Sequence, residues 1–457
     1  MTSGRRIVTR ILRIYWVVLL LIGEIGLYRW HISRCKWPSR EKLAEASPDF
    51  VHVAIVADPQ IVDHYSYGQS GFFLRTVEFF TDIYIRKSYR FLQTIRNPSA
   101  VIFLGDLMDG GREWTDEAWH KEYERYKSLF VNRSPQRMRT YDMAGNHDIG
   151  IGNTVVPHAL ERFHKYIGPT NQVLNIADHE IILLDTLTLE NDNPQTSNSS
   201  RQLVQQLSED RSGDKPRLLF THVPMSRPDG TYCGFERQSK IKFLPNRRGY
   251  QFRDQLFANT TLRLLDAIRP NAVFSGDDHD SCTVEHKIPS SQNTTTEYTI
   301  GAFGWASGVP IASYALMTLY PRTSKVNAQF QVRRCFLPYQ LGIYEVYIAS
   351  FAMSLLVVAV LCYRGSHSYH PAALYSQINR GSSDAPECER HLVYFSLPSS
   401  ESLSPSPSSS LPLPVITPGK WSFSKRGFFA QFLSIMKEII CVAVPTYILC
   451  LSYFYVC

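Results

Sequence analysis

The chain has 457 residues, 44% hydrophobic and 19% charged, enough for one large folded domain or two smaller ones. Its formal charge of +7 is modest for that length and contains no long Lys/Arg run, which excludes nucleic acid as the first partner to consider. Aromatic residues make up 12%, a share that suits membrane segments flanked by interfacial rings.

The first element is the apolar run IYWVVLLLIGEIGLYRW, residues 14–30, preceded by Arg5, Arg6, Arg10 and Arg13. A cleaved signal peptide shares this basic start and apolar run. Here no small-residue cleavage site follows, whereas Arg29, Arg34 and Lys36 do, so the stretch reads as an uncleaved signal anchor behind a cytosolic segment, residues 1–13. A second run, residues 341–363, is long enough to cross a bilayer at about 1.5 Å per residue. A third occupies residues 439–457 behind Lys425, Arg426 and Lys437. Glu24 and Glu345 lie near the ends of these runs, where an interfacial position is expected. Residues 364–427, with a Ser/Pro-dominated stretch at 396–418, read as a cytosolic linker that cannot bury a core.

With the arginines on the cytosolic side, the block between the first two spans lies on the other side, in the lumen. Four Asn-X-Ser/Thr sequons, at Asn132, Asn198, Asn259 and Asn293, all fall in that block, as expected for glycosylation sites. Cys35, Cys233, Cys282 and Cys335 fall there too, an even number that allows two disulfides without requiring them.

The folded unit is therefore residues 49–338. Within it VHVAIVAD, AVIFLGD, RTYDMAGN, HEIILLDT, RLLFTHVP and NAVFSGD share one design, a continuous apolar run with a polar residue at its carboxyl end. Segments of helical spacing, such as FFLRTVEFFTDIYIRKSYRFLQTI and NTTLRLLDAI, separate them. That alternation predicts a layered α/β fold with buried sheets, and in such folds ligands collect at the carboxyl ends of the strands. The strand ends deliver Asp58 and Gln60, then Asp106 and Asp109, then Asn146, His147 and Asp148, then His222, then Asp277 and His279. One such residue is ordinarily a turn or helix cap. Five groups in register are not explained that way.

The order D-x-Q, GDxxD, GNHD, H and GDDH resembles the calcineurin-like metallophosphoesterases. The resemblance spans the lumenal block and implies a four-layer β-sandwich flanked by helices, here with transmembrane helices at both ends. It also implies a two-metal site. One cation would be held by Asp58, Gln60, Asp106 and His279, the other by Asp106, Asn146, His222 and Asp277, with Asp106 bridging. His147 would be the catalytic histidine, Asp148 its orienting partner, and Asp109 a supporting carboxylate. Two cations clamp the attacking and departing oxygens of a phosphoryl displacement, and a bridging carboxylate offsets their repulsion. Gln60 and Asp277 stand where the family usually has histidine. A donor set this rich in oxygen points to Mn²⁺, Mg²⁺ or Ca²⁺ over Zn²⁺.

VADPQ, FFTDIYIRKSYR, LGDLMDGGR and SGDDHD together resemble the fungal membrane-bound branch of the family, the post-GPI-attachment phosphoesterase type. That resemblance implies removal of ethanolamine phosphate from a mannose of glycosylphosphatidylinositol (GPI) anchors, and it implies Mn²⁺ among the three metals. The substrate would be GPI-anchored protein or GPI glycolipid, and the site of action the endoplasmic reticulum lumen, with cycling to the Golgi left open. Two alternatives stand beside it: a lumenal phosphoesterase for another phospholipid or phosphodiester, and a non-catalytic cargo receptor for GPI proteins. The basic stretch from Arg237 to Arg253 reads either as a lid over an anionic glycolipid or as a solvated loop, and Trp305 either as a stacking ring or as packed core.

Overall fold

The computed structural model describes residues 3–68, 70–133, 138–210, 215–370 and 420–456. All six predicted runs are strands. Three form β1 (Val51–Val56), β2 (Ala100–Phe103) and β3 (Arg139–Asp142), parallel to one another. The other three are β5 (His179–Leu183), β6 (Arg217–Phe220) and β9 (Ala272–Ser275), also mutually parallel. The remaining strands of the domain are β4 (Gln172–Ile176), β10 (Cys282–Lys287), β11 (Thr294–Thr299), β12 (Ser313–Tyr320) and β13 (Gln329–Phe336). A short ribbon of β7 (Arg248–Gly249) and β8 (Phe252–Arg253) stands apart. One sheet has the order β13-β12-β1-β2-β3 and the other β10-β11-β9-β6-β5-β4.

The period-two alternation of strand side chains explains why the predicted runs are apolar throughout. Val53, Ile55, Ile102, Leu218, Phe220 and Phe274 form one buried layer with Met317 and Leu319, between the two sheets. Their alternates Ala54, Val56, Val101, Phe103, Leu219 and Val273 face helices instead. Helix Gly71–Phe91 supplies Tyr84, Ile85 and Tyr89 to that outer layer, and helix Ala258–Ile268 supplies Leu264, Leu265 and Ile268. A parallel bridge between Ala57 and Ala302 sits just past the end of β1.

Two disulfides close this unit. Cys35 pairs with Cys335 on β13, across 300 residues, and Cys233 pairs with Cys282 at the start of β10. The four sequon asparagines are all exposed.

Among the described residues, three helical segments are long and apolar enough to cross a membrane: Gly4–Arg34, Gln340–Ser366 and Lys425–Tyr455. Each is longer than its apolar run because polar residues at its ends keep helical geometry. By contacts the chain divides into two units, one of residues 11–350 with 441–457 and one of residues 1–10 with 351–440. In the smaller unit Arg5 donates to the Gln431 amide oxygen at 2.6 Å, and strands His367–His370 and Lys420–Phe423 pair antiparallel. The Ser/Pro-rich stretch lies outside the described residues.

The first long helix contains a π-turn, Ile22–Gly26, and here the interfacial expectation for Glu24 is corrected. The wider turn places Glu24 in a buried ion pair with Lys87 of helix Gly71–Phe91, their side chains 2% and 1% exposed, and the Tyr347 hydroxyl donates to the same carboxylate at 2.9 Å. Burying a charge without its partner is far costlier than burying the pair. Lys87→Ala should therefore destabilise the protein by about 3–5 kcal/mol. Glu24→Gln with Lys87→Met should recover most of that loss. Thermal unfolding of the full chain in detergent checks both; equal losses in the single and double variants would refute the pairing.

Candidate metal centre

Three of the strands that feed the site, β1, β2 and β9, end in turns that L-residues resist. Asp58, Gln60, Asp106, Asp277 and His279 all have positive φ, between 36° and 64°. They are five of the ten such non-glycine residues among those described. Each left-handed residue costs about 1–2 kcal/mol, so the concentration of strain here marks a site the rest of the fold holds in place. In SGDDHD both Asp277 and His279 are left-handed, so the chain does not continue extended past β9.

His222 is the hub. Its Nε2 lies 3.0 Å from Asn146 Oδ1, 3.3 Å from Asp106 Oδ1 and 3.5 Å from Asp277 Oδ1. These are the four residues assigned from sequence to one cation, and the structure brings them together. Asn146 turns its oxygen inward because its Nδ2 donates to the Gln251 carbonyl at 3.0 Å. Nδ1 of His222 lies 2.7 Å from the Leu104 carbonyl and 3.7 Å from Asp58 Oδ1. Asp58 in turn accepts the Asp277 backbone N–H at 3.0 Å. Asp58, Asp106 and His222 are all buried, with donor atoms within 4.8 Å of one another.

Of the other residues, His279 holds its Nδ1 3.0 Å from the Ser307 carbonyl. Gln60 donates its amide N–H to Asp109 Oδ1 at 2.7 Å. Gln60, Asp109, His279 and Ser307 line a cavity of about 190 Å³.

The pairing of His147 with Asp148 is corrected. His147 Nδ1 lies 2.6 Å from the Asp109 carbonyl and 3.0 Å from its carboxylate, so Asp109 is the orienting group. Asp148 instead accepts three backbone N–H groups, from Gly145 at 2.9 Å, Leu107 at 3.1 Å and Met108 at 3.3 Å. It staples the Asp106 turn to the start of helix Asn146–Ile149, a capping role near a helix N-terminus. Adjacency in sequence is not adjacency in space.

Electrostatics fit the donor set. Burial raises Asp58 well above the usual carboxylate range, and Asp106 and Asp277 add to this against the pull of His222. Burial opposes the charged form of His147 as well, yet Asp106 and Asp109 outweigh it and push the imidazole up to about 9. Three carboxylates crowded out of water, with amide and imidazole donors turned toward them, are what bound cations neutralise. The residues present thus fit divalent metal.

Residues outside the motifs complete the site. Arg112 donates to the Asn146 carbonyl at 2.8 Å, to the Tyr65 hydroxyl at 3.0 Å and to the Gln251 amide oxygen. It directly follows LGDLMDGG, so its position was visible in sequence although its role was not. Gln251 gave no signal. The basic stretch is largely spent on internal pairs: Arg237 with Asp278, Arg253 with Glu190 and Arg247 with Asp254. Asp280 accepts the backbone N–H groups of Gln238 and Ser239. Trp305 is half-buried against Tyr84 and Tyr344, which favours the packed reading.

Carboxylate, amide and imidazole donors gathered where parallel strands of two sheets end, with a histidine held beside them, define a metal-dependent hydrolase of phosphoesters. Comparison with known proteins gives the family. The profile of the calcineurin-like phosphoesterases matches residues 51–281. Cell division control protein 1 of Saccharomyces cerevisiae is 34% identical over 377 residues, 77% of this chain and 75% of that protein. The Metallophosphoesterase 1 homolog of Caenorhabditis elegans is 24% identical over 296 residues, 64% of this chain and 76% of its own. Mouse Metallophosphoesterase 1 is 23% identical over 369 residues, 75% and 87% of the two chains. The chain belongs to the calcineurin-like phosphoesterase family, hydrolases that bind two divalent metals.

The close approach of backbones around Asp106 supplies a test. A Cβ on Gly145 would lie 2.1 Å from Asp106 Oδ1 and 2.2 Å from its backbone nitrogen. Gly145→Ala should cut bound metal to less than half of the wild-type stoichiometry, measured by plasma mass spectrometry on protein with wild-type circular dichroism. Full metal occupancy would refute the steric account.

Proposed function

We propose that the protein is a phosphodiesterase of the secretory-pathway lumen that removes ethanolamine phosphate from a mannose of GPI anchors, with Mn²⁺ as its metal. The observation that carries the catalytic part is the convergence of Asp106, Asn146 and Asp277 on His222, with His147 held next to them by Asp109. The lumenal part is supported by two disulfides, which persist in oxidising compartments, and by four exposed sequons in one block. The anchor-glycan part is supported by the resemblance of VADPQ, LGDLMDGGR and SGDDHD to the branch with that activity, and by the three membrane-length helices. A donor set with two imidazoles among seven positions and no thiolate favours Mn²⁺, Mg²⁺ or Ca²⁺ over Zn²⁺, and the resemblance to the branch favours Mn²⁺ among them.

Asp58, Gln60, Asp106 and His279 would hold one cation, and Asp106, Asn146, His222 and Asp277 the other. When bound, the pair supplies a water nucleophile at neutral pH and charge stabilisation for the phosphoryl oxygens. The protein's own residues supply the rest. Asp109 fixes His147 through Nδ1, so Nε2 is the nitrogen left to give a proton to the departing mannose alkoxide. Asp106 and Asp109 favour the imidazolium that this step requires. Arg112 and Gln251 hold Asn146, and Asp148 fixes the turn that carries Asp106.

His147→Ala should lower kcat by about 10²–10⁴-fold while leaving metal content unchanged. In Asp109→Asn the imidazolium loses a carboxylate partner, so its raised pKa falls and activity should be lost at a lower pH on the alkaline limb of the kcat profile. Unchanged kcat in the first variant would remove His147 as the proton donor, and an unmoved limb in the second would remove Asp109 as the orienting group.

The substrate is tested by mass spectrometry of anchor glycans from cells with and without the enzyme. Loss of the enzyme should leave anchors carrying one more ethanolamine phosphate. Identical glycans would overturn the anchor reading and leave a phosphoesterase for another lumenal diester.

A further inference from the structure

Helix Gly71–Phe91 is in contact with all three membrane-length helices, and on one side of each. Its Lys87 pairs with Glu24 and its Tyr84 packs edge-on against Tyr28 at 5.6 Å, both toward the C-terminal end of the first. Phe80 packs edge-on against Tyr344, near the N-terminal end of the second, at 5.9 Å. Phe79 stacks on Tyr455 at 5.9 Å, and Arg90 donates to the Tyr453 carbonyl at 2.8 Å, both at the C-terminal end of the third. One helix thus touches three spans within residues 79–90.

All of those contacts belong to residues 79–90 and leave the first turns of the helix without an apolar cover. Phe72 is 83% exposed and Phe73 73%. Each precedes by seven residues an aromatic that is seated on a span, Phe72 before Phe79 and Phe73 before Phe80. Seven residues are nearly two whole turns, so the exposed pair continues the same face about 10 Å further along the axis. Exposed Arg75 stands beside them, with a stem long enough to carry its charge to a headgroup phosphate. Two large exposed rings next to a cation are what an interfacial helix presents to lipid.

The catalytic cavity is rooted in the same elements. Ser66, five residues before the helix, lines it together with Gln60 and Asp109. Across the cavity Ser307 belongs to the loop whose Trp305 packs against Tyr84 and Tyr344. The Ser307 wall is thereby anchored to residues that contact the membrane-length helices, and the Ser66 wall is close to the helix in sequence.

We infer that the first half of helix Gly71–Phe91 is a bilayer-contact element, with Phe72 and Phe73 buried among lipid headgroups and upper acyl carbons, so that the cavity opens at the membrane surface. The occupant is lipid rather than a partner protein, because the exposed face is continuous with the one already packed on the spans. This inference is independent of the anchor-glycan reading.

The test uses the full chain in phosphatidylcholine liposomes, with p-benzoylphenylalanine replacing Phe72, Phe73 or, as a reference, exposed Gln205 on helix Pro194–Glu209. After irradiation, peptides carrying position 72 or 73 should show phosphatidylcholine adducts at least fivefold above those at position 205. Two separate positions protect the test against one misfolded variant, checked by metal content. Adduct yields equal to the reference, or adducts to a second protein in place of lipid, would overturn the inference.

Discussion

Three carboxylates, two of them fully buried, converge on one imidazole, and the rest of the domain is arranged around that crowding. Asp58, Asp106 and Asp277 come from the ends of three different strands in two sheets, and each brings a charge that the others repel. To meet at His222 the strands must stop abruptly and their backbones must approach closely. Gly105 and Gly145 are where that approach is tightest: a Cβ on Gly105 would lie 2.6 Å from His222 Nδ1 and 2.8 Å from the Gly145 Cα. The sandwich supplies the rigid frame on which such strained turns persist. Asp148, buried and saturated with backbone N–H donors, is part of that frame.

The parts that sequence revealed are those governed by local pattern. The parallel strands were readable because helices cover one face and the partner sheet the other, leaving continuous apolar runs such as AVIF and RLLF. β10, with alternating burial along CTVEHK, carries a weaker signal. The candidate metal positions were readable because each closely follows such a run. What stayed hidden depends on contacts between distant segments. Nothing in GNHD says that His147 turns to Asp109 while Asp148 turns back to the amides of its own helix start. Gln251 reaches Asn146 from more than a hundred residues away, and Glu24 finds Lys87 across 63.

The acidic run SGDDHDSC shows both kinds of information together. Asp277 and His279 face the site, while Asp278 and Asp280 bind Arg237 and the backbone of Gln238 and Ser239. Charges that read as a solvated turn or a basic lid are consumed in holding one loop against another. The disulfide from Cys233 to Cys282 secures the same junction covalently.

The other disulfide has a mechanical consequence. Cys35 follows the first membrane-length helix by one residue and Cys335 precedes the second by five, so a single covalent link joins the two stems on which the domain stands. A globule on one flexible stalk samples a wide shell of heights above its support. One whose stems are clasped together, with Lys87 locked to Glu24 below, keeps a nearly constant stand-off. Such a mounting acts as a height gauge: of the phosphoesters presented above the support, those at one elevation meet the cavity.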